Sequence, residues 1–177
     1  MILQRGAAYV DAAPGSGGAA LHIATSLGVV QHTGTQFEVR LDAAGLQVRV
    51  REGSVAVDAS GQRWTSQAGE LLVLTRGRPA ERRSVATSGP EWSWVSDVTP
   101  PFRLEGATAS AFLHWIAREQ GWTLEIDDPS LRARIDRVGL HGSIEGFTAD
   151  EALAAVLPTC GLASHRQGNR LIVSAAP

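Results

Sequence analysis

Glu105-Gly106-Ala107-Thr108-Ala109 and Glu145-Gly146-Phe147-Thr148-Ala149 lie forty positions apart and share one pattern, Glu-Gly-x-Thr-Ala. In each copy the threonine is followed by apolar residues at helical spacing, and the segment closes on Gly121 or Gly161. Threonine is a favoured N-cap residue, and glycine is favoured just after a helix because it adopts a left-handed conformation. The repeat therefore predicts two helices of about three turns, each with one apolar face.

Strand-like segments surround the two predicted helices. In chain order they are 102–104, 122–126, 140–144, 162–167 and 170–174. The last two are separated by Gly168-Asn169, a pair suited to a two-residue hairpin turn. Residues 102–177 are therefore predicted to form a small α+β domain with the order β-α-β-β-α-β and both helices on one face of the sheet.

The first half of the chain has a period of two instead. Leu46, Val48 and Val50 alternate with polar residues, and turn-forming pairs such as Glu52-Gly53 and Ser60-Gly61 separate the strand-like runs. Such alternation is typical of half-buried antiparallel strands. We expect about eight short strands forming an all-β sandwich or roll over residues 1–90.

Residues 91–101 are predicted to be the linker between the two domains, because Pro100-Pro101 favours extended geometry. Trp92 and Trp94 are two positions apart and would face the same way on an extended segment. We interpret them as aromatic anchors that pack the linker onto one of the domains. The alternative is an aromatic binding platform.

Composition excludes several classes of protein. A net charge of -2 over 177 residues lacks the basic surface of a nucleic-acid binder. All sixteen basic residues are arginine, which excludes a Schiff-base lysine and a P-loop lysine, and the single cysteine excludes an intrachain disulfide. The longest uncharged stretch, residues 12–37, contains Pro14 and five glycines and is not expected to span a membrane.

Candidate catalytic residues are few and dispersed. His22 and His32 lie on neighbouring predicted strands and could approach each other, but we favour ordinary strand residues over a metal site. Asp127-Asp128 precedes a proline and is interpreted as a turn, Cys160 as a small apolar residue, and Gly15-Ser16-Gly17-Gly18 as a flexible loop. We therefore expect no enzyme activity, no cofactor and no metal.

The first half resembles the FecR family. The resemblance rests on residues 34–39 (Gly-Thr-Gln-Phe-Glu-Val) and 50–57 (Val-Arg-Glu-Gly-Ser-Val-Ala-Val), with further similarity at 21–28 and 68–70. It spans roughly residues 5–75. These residues are similar to the later part of a FecR domain, so an earlier stretch is expected to lie outside this chain. The glycines of these motifs supply backbone freedom at corners, and the apolar residues fill the core.

The second half, with its paired Glu-Gly-x-Thr-Ala segments, resembles the short N-terminal domain of secretins and TonB-dependent receptors. This order of domains is that of the periplasmic part of FecR-type transmembrane regulators, which control an extracytoplasmic-function sigma factor. The resemblance implies a periplasmic protein-binding module whose partner is the signalling domain of a TonB-dependent transducer. It also implies an inner-membrane anchor outside this chain. The alternative is an envelope-assembly or glycan-binding module without a sigma factor.

The partner is expected to add a strand to an edge of the C-terminal sheet. The closing strand is the last element of the chain, and we predict that it is such an edge. The predicted partner-binding residues are Arg170, Leu171, Ile172, Val173 and Ser174. Along this strand Leu171 and Val173 point to one face and Ile172 to the other.

Overall fold

A computed structural model describes residues 1–12, 21–32, 34–126 and 128–176. The chain divides into two compact units, Met1–Glu91 and Trp92–Pro177. The predicted loop at residues 15–18 and Asp127 lie outside the described residues.

The described residues of the first unit form nine strands in two antiparallel sheets. The strands are β1 Gly6–Asp11, β2 His22–Thr25, β3 Gly28–His32, β4 Gln36–Asp42, β5 Gly45–Glu52, β6 Ser54–Ala59, β7 Gln62–Gln67, β8 Glu70–Leu74 and β9 Glu81–Ser84. One sheet has the order β1-β4-β5-β8-β9 and the other the order β2-β3-β6-β7.

Apolar side chains from both sheets form one core. Leu46, Val48 and Val50 of β5 are completely buried, as the alternation predicted, and Val30 and Val57 of the other sheet are buried with them. The two sheets therefore enclose a shared interior, which confirms the predicted β-sandwich.

Two glycines of the first unit occupy corners that other residues would strain. Gly34 and Gly53 have φ angles of 64° and 75°, in the left-handed region. A Cβ atom on Gly53 would also lie 2.6 Å from Cγ2 of Thr35. The corner between β5 and β6 therefore requires glycine for both conformation and space.

The segment after β8 contains a strand that its sequence did not predict. Residues 76–89 are polar and rich in arginine, and the sequence predicts a connection there. The structure instead pairs β9 with residues 70–73 of β8. All four residues of β9 are exposed, so this edge strand carries no apolar alternation from which it could be recognised.

The extended geometry predicted for the linker is wrong at residues 91–97, because Pro90–Asp97 forms a 3-10 helix. The assignment of residues 91–101 as the linker stays a prediction. Trp92 and Val95 are buried within it, three positions apart, as a helix with three residues per turn requires. Trp94 is half-buried and does not share their side of the helix. The anchoring role of Trp92 and Trp94 stays a prediction.

The second unit contains the two predicted helices and one more. They are α1 Ala109–Gln120, α2 Pro129–Ile135 and α3 Ala149–Val156, with a 3-10 turn at Leu157–Cys160. The strands are β10 Thr123–Glu125, β11 Leu162–Gln167 and β12 Arg170–Ala175. The combination of a small sheet with helices in this unit confirms the predicted small α+β domain.

The repeated pentapeptide provides helix caps, as predicted. The Thr108 hydroxyl accepts a hydrogen bond from the Ala111 amide at 3.1 Å. Thr148 and Glu151 form a reciprocal capping box, in which the Thr148 amide donates to the Glu151 carboxylate at 2.8 Å. Each copy therefore begins its helix at the same position of the motif.

Helix α2 was not predicted. Asp128 was interpreted as part of a turn, but its carboxylate accepts the Ser130 amide at 2.8 Å and Pro129 occupies the first turn. The same residue types favour a turn and a helix start. Leu131 and Ile135 then bury one face of α2 in the core.

Two predicted strands are not strands. Residues 102–104 and 140–144 form no ladder in the part of the unit that the structure describes, where a single bridge joins Thr108 to Gly139. Of the five strand-like segments, the other three form the sheet of the described residues, in the order β10-β12-β11.

The predicted edge position of Arg170 to Ser174 is wrong. Strand β12, which contains Arg170, Leu171, Ile172, Val173 and Ser174, pairs in parallel with β10 and antiparallel with β11. The crossover after β10 returns the chain beside that strand, so the last strand in sequence becomes the central one. Leu171 and Val173 are buried and Ile172 is half-buried, as the strand period predicted.

None of the helices in the described residues combines the length and apolar character needed to cross a bilayer.

Truncation of the repeat's equivalent leucines tests the packing of the second unit. Leu113 is completely buried and Leu153 is 6 % exposed in one core. We expect Leu113→Ala and Leu153→Ala each to lower the free energy of unfolding by about 2–5 kcal/mol, because each leaves a cavity. Urea denaturation of the full chain measures this.

Phe147 supplies the matched control, since it belongs to the same repeat but is 49 % exposed. Phe147→Ala is expected to change the free energy of unfolding by less than about 1 kcal/mol. Losses below about 1 kcal/mol for both leucine variants would contradict the repeat as a packing unit.

Candidate protein-binding site

The free edges of the C-terminal sheet are β10 and β11, because β12 lies between them. Strand β10 has three residues and β11 has six. A strand of six residues presents more unpaired backbone groups to a partner than one of three. Strand β11 is therefore the longer open edge of this sheet.

The outward backbone groups of β11 can be assigned from its pairing. Gly161 accepts the Ala176 amide at 2.9 Å, and Gln167 and Arg170 close the two-residue hairpin loop. In an antiparallel ladder, hydrogen-bonded and non-hydrogen-bonded pairs alternate. Both ends of the ladder therefore give the same alternation of pairs. In it, the backbone N–H and C=O groups of Ala163 and His165 form hydrogen bonds with β12.

Leu162, Ser164 and Arg166 are consequently the residues whose N–H and C=O groups point away from β12. No backbone hydrogen bond joins Ser164 or Arg166 to another element among the residues that the structure describes. The edge offers an incoming strand a set of donors and acceptors at every second residue.

A groove runs beside this edge, between β11 and α3. Its volume is about 390 Å³. The apolar side chains that line it are Leu153, Ala154, Leu157, Pro158 and Leu162. A strand added to β11 would place alternate side chains toward this groove, because strand side chains alternate between faces.

Charged groups define one wall of the groove. The Arg166 guanidinium lies 3.2 Å from the Asp150 carboxylate at the start of α3 and 4.8 Å from the centre of the Trp122 ring. The side chains of Arg166 and Asp150 are 46 % and 67 % exposed, so a partner could compete for either group of the ion pair. The ion pair and the ring contact hold the Arg166 side chain beside the groove.

Strand β10 carries a different ion pair. Arg170 of the central strand reaches across to Glu125 and forms two hydrogen bonds with its carboxylate. These bonds lower the pKa of Glu125. Arg170, predicted to bind a partner, therefore contacts the neighbouring strand of its own sheet.

Asp128 and Cys160, the candidate catalytic residues of the second unit that the structure describes, each have structural contacts. Asp128 caps α2, and the hydrogen bonds that it accepts from Ser130 lower its pKa. Cys160 is half-buried, with its sulfur 3.7 Å from the Thr159 hydroxyl. Within the described ranges, no group of three or more His, Cys, Asp or Glu residues is placed to hold a metal ion.

His32 is a buried histidine of the first unit. Its side chain is 7 % exposed, and its ring lies 5.3 Å from that of Phe37. Neither ring nitrogen has a hydrogen-bond partner among the described residues. Burial, and secondarily the neighbouring His22, lowers the pKa of His32. The geometry fits a neutral core histidine better than a metal ligand.

The sequence signal for the β11 edge was present but was assigned to the wrong strand. The hairpin around Gly168-Asn169 pairs β11 with β12, and either could have been the edge. The sequence carries no local mark of the parallel pairing between Thr123 and Arg170 that makes β12 central.

Comparisons with known proteins give the following. Residues 1–56 match the family model described as FecR protein. No curated protein matches the chain. Two crystal structures of a "putative anti-sigma factor" from Parabacteroides distasonis ATCC 8503 are similar at 15 % and 14 % sequence identity, with TM-scores of 0.44 and 0.45. Each similarity covers 99 % of this chain and 81 % of the other. The resemblance of the second unit to secretin and TonB-receptor domains stays a prediction.

Amide exchange of β11 tests the assigned edge. We expect the outward amides of Ser164 and Arg166 to exchange with deuterium much faster than the inward amides of Ala163 and His165, because only the inward amides bond to β12. Residue-resolved NMR exchange measures this. Slow exchange at Ser164 and Arg166 in the isolated chain would show that the edge is already covered.

The buried His32 should make the stability of the chain depend on pH. Its folded pKa lies below the ordinary value, so between neutral pH and about pH 5 the unfolded chain binds the proton more readily. We expect the free energy of unfolding to be highest above about pH 6.5 and to fall as the pH decreases toward the folded pKa.

His32→Leu removes this proton site, and His114→Gln, at an exposed histidine of the second unit, is its control. We expect the loss of stability between about pH 7 and pH 5 to be smaller in His32→Leu and little changed in His114→Gln. Urea denaturation at a series of pH values measures both. Equal pH dependence in the wild type and His32→Leu would contradict a penalty on protonating His32.

Proposed function

From the match of residues 1–56 to the FecR family model, we propose that the protein is a FecR-type regulatory module of sigma-factor signalling. In this proposal it works by binding proteins and not by catalysis. Its two units lie in the periplasm and receive a signal from the outer membrane. The signal then changes the activity of an extracytoplasmic-function sigma factor.

The observation that carries the proposal is the open β11 edge with its adjoining groove. The edge presents backbone groups of Ser164 and Arg166, and the groove presents the apolar side chains of Leu153 and Leu157. A partner strand would gain main-chain hydrogen bonds from the edge and side-chain contacts from the groove. This combination recognises an extended protein segment.

We identify the partner with the periplasmic signalling domain of a TonB-dependent transducer. The resemblance of residues 102–177 to the short N-terminal domain of such receptors supports this choice. In our proposal the transducer domain contributes the strand, and β11 receives it. The Asp150–Arg166 ion pair beside the groove would set which charged residues the partner strand can carry.

Ser164→Pro tests the edge at an amide that the fold does not use. Proline removes one outward N–H and leaves the ladder with β12 intact, a position at which sheets tolerate it. We expect the variant to keep its melting temperature and to lose about tenfold or more in affinity for the transducer domain from the same genome. Isothermal titration calorimetry measures the affinity.

Ser164→Ala is the matched control, because it removes the same hydroxyl but keeps the amide. It is expected to bind like the wild type. If Ser164→Pro unfolds the protein, Arg166→Pro against Arg166→Ala repeats the comparison at the next outward amide. Equal affinity of a folded proline variant and its alanine control would overturn β11 as the binding edge.

A further inference from the structure

The first unit has an open cleft that the proposed function does not use. Its volume is about 600 Å³, within the range of small-molecule sites. Three segments surround it: the β2–β3 turn at 26–28, the β6–β7 turn with the start of β7 at 58–64, and the β8–β9 loop at 74–80.

Apolar side chains form part of the lining of the cleft, and polar groups form the rest. Leu27, Trp64 and Ala80 line it and are partly buried against the sandwich core, and Leu74 is nearly completely buried. The cleft is therefore an opening between the two sheets in which core side chains remain accessible. The Trp64 indole provides the largest apolar surface there.

Close packing and hydrogen bonds hold two of the segments that surround the cleft. A Cβ atom on Gly28 would lie 2.8 Å from Cβ of Ala59, so the β2–β3 turn sits directly against β6. On the other side, the Thr75 hydroxyl donates to the Ala44 carbonyl at 3.0 Å, and the Arg78 amide donates to the Thr75 carbonyl at 3.1 Å. Segments held in this way reduce the ordering cost of binding.

The rim of the cleft is positively charged. Arg76 and Arg78 are exposed on the β8–β9 loop. No hydrogen bond or ion pair joins either guanidinium to another of the described residues. Asp58 is the one acidic residue among those that line the cleft, and its carboxylate already accepts hydrogen bonds from Gln31 at 3.0 Å and Arg63 at 3.4 Å.

We propose that this cleft binds a small amphipathic organic anion, with its apolar body against Trp64 and its carboxylate or sulfonate at Arg76 and Arg78. Guanidinium groups form paired, charge-assisted hydrogen bonds with planar anions, and an indole ring packs well on an aromatic or aliphatic body. The apolar part of the lining favours an organic body over inorganic phosphate, and the cationic rim favours an anion over a neutral compound. The inference does not depend on the β11 edge, which belongs to the other unit.

Phenylbutyrate and anilinonaphthalene sulfonate are suitable probe anions. Phenylbutanol is the uncharged counterpart of phenylbutyrate. In NMR titrations of the full chain we expect both anions to shift the amides of residues 26–28, 58–64 and 74–80. Phenylbutanol should bind about tenfold or more weakly, because it lacks the charge that the arginines recognise. Absence of shifts in these segments up to about 10 mM of both anions would overturn the proposal.

The double variant Arg76→Gln with Arg78→Gln tests the rim. It should weaken binding of phenylbutyrate about tenfold or more and leave that of phenylbutanol unchanged. Arg82→Gln with Arg83→Gln is the matched control, because these exposed arginines of β9 pair with Glu70 and Glu81 and do not line the cleft. An equal loss of affinity for phenylbutyrate in both double variants would show that binding depends only on net charge, and it would contradict the proposed site.

The headgroup of an anionic lipid is also an anion that Arg76 and Arg78 could bind. Co-sedimentation with phosphatidylglycerol vesicles distinguishes a lipid headgroup from a free organic acid as the ligand. We expect no association of the wild-type chain with vesicles. Association that is lost in the Arg76→Gln, Arg78→Gln variant would assign the arginines to a membrane surface and overturn the proposal of a free organic acid.

Discussion

Strand β12 is hydrogen-bonded on both sides, and the organisation of the C-terminal unit depends on this. Its antiparallel pairing with β11 is local, because only Gly168-Asn169 separates the strands. Its parallel pairing with β10 requires the chain between residues 125 and 162 to cross over, and α2 and α3 lie in that connection. The crossover places Leu171 and Val173 in the core shared with α1 and leaves β11 as the longer free edge. The candidate protein-binding surface is thus a consequence of where the last strand is inserted.

The two units present different recognition chemistry. The second unit offers backbone groups at a strand edge, which select a partner by its extended conformation and are indifferent to most of its side chains. The first unit closes its core between two sheets and leaves an opening lined by Trp64 and bordered by Arg76 and Arg78. Such an opening selects by size, polarity and charge. A regulator with both features would respond to a protein and to a small anion through separate parts of the chain.

Several of the described acidic residues have structural roles. Glu151 closes the capping box of α3, and its hydrogen bonds with the Thr148 backbone and side chain lower its pKa. Asp128 caps α2, and Glu125 binds Arg170 of the central strand. Glu38, nearly completely buried, is paired with Arg49 at 3.2 Å. The lowered pKa values of Glu151, Asp128 and Glu125 make these three carboxyl groups poor proton donors at neutral pH.

The sequence by itself determined those features that depend on neighbouring residues. The Thr108 and Thr148 caps and the closing Gly121 and Gly161 follow from local backbone hydrogen bonding, and the burial of Leu46, Val48 and Val50 follows from the two-residue period of a strand. Local chemistry was ambiguous at Asp128-Pro129, where a turn and a helix start use the same residues, and at Trp92, where a 3-10 helix replaced an extended linker. Only the tertiary structure decided which strand is central, and with it that Ser164, and not Ile172, lies on the open edge. Sheet order depends on hydrogen bonds between residues far apart in sequence, such as Leu124 with Leu171, and neither segment alone carries a mark of its partner.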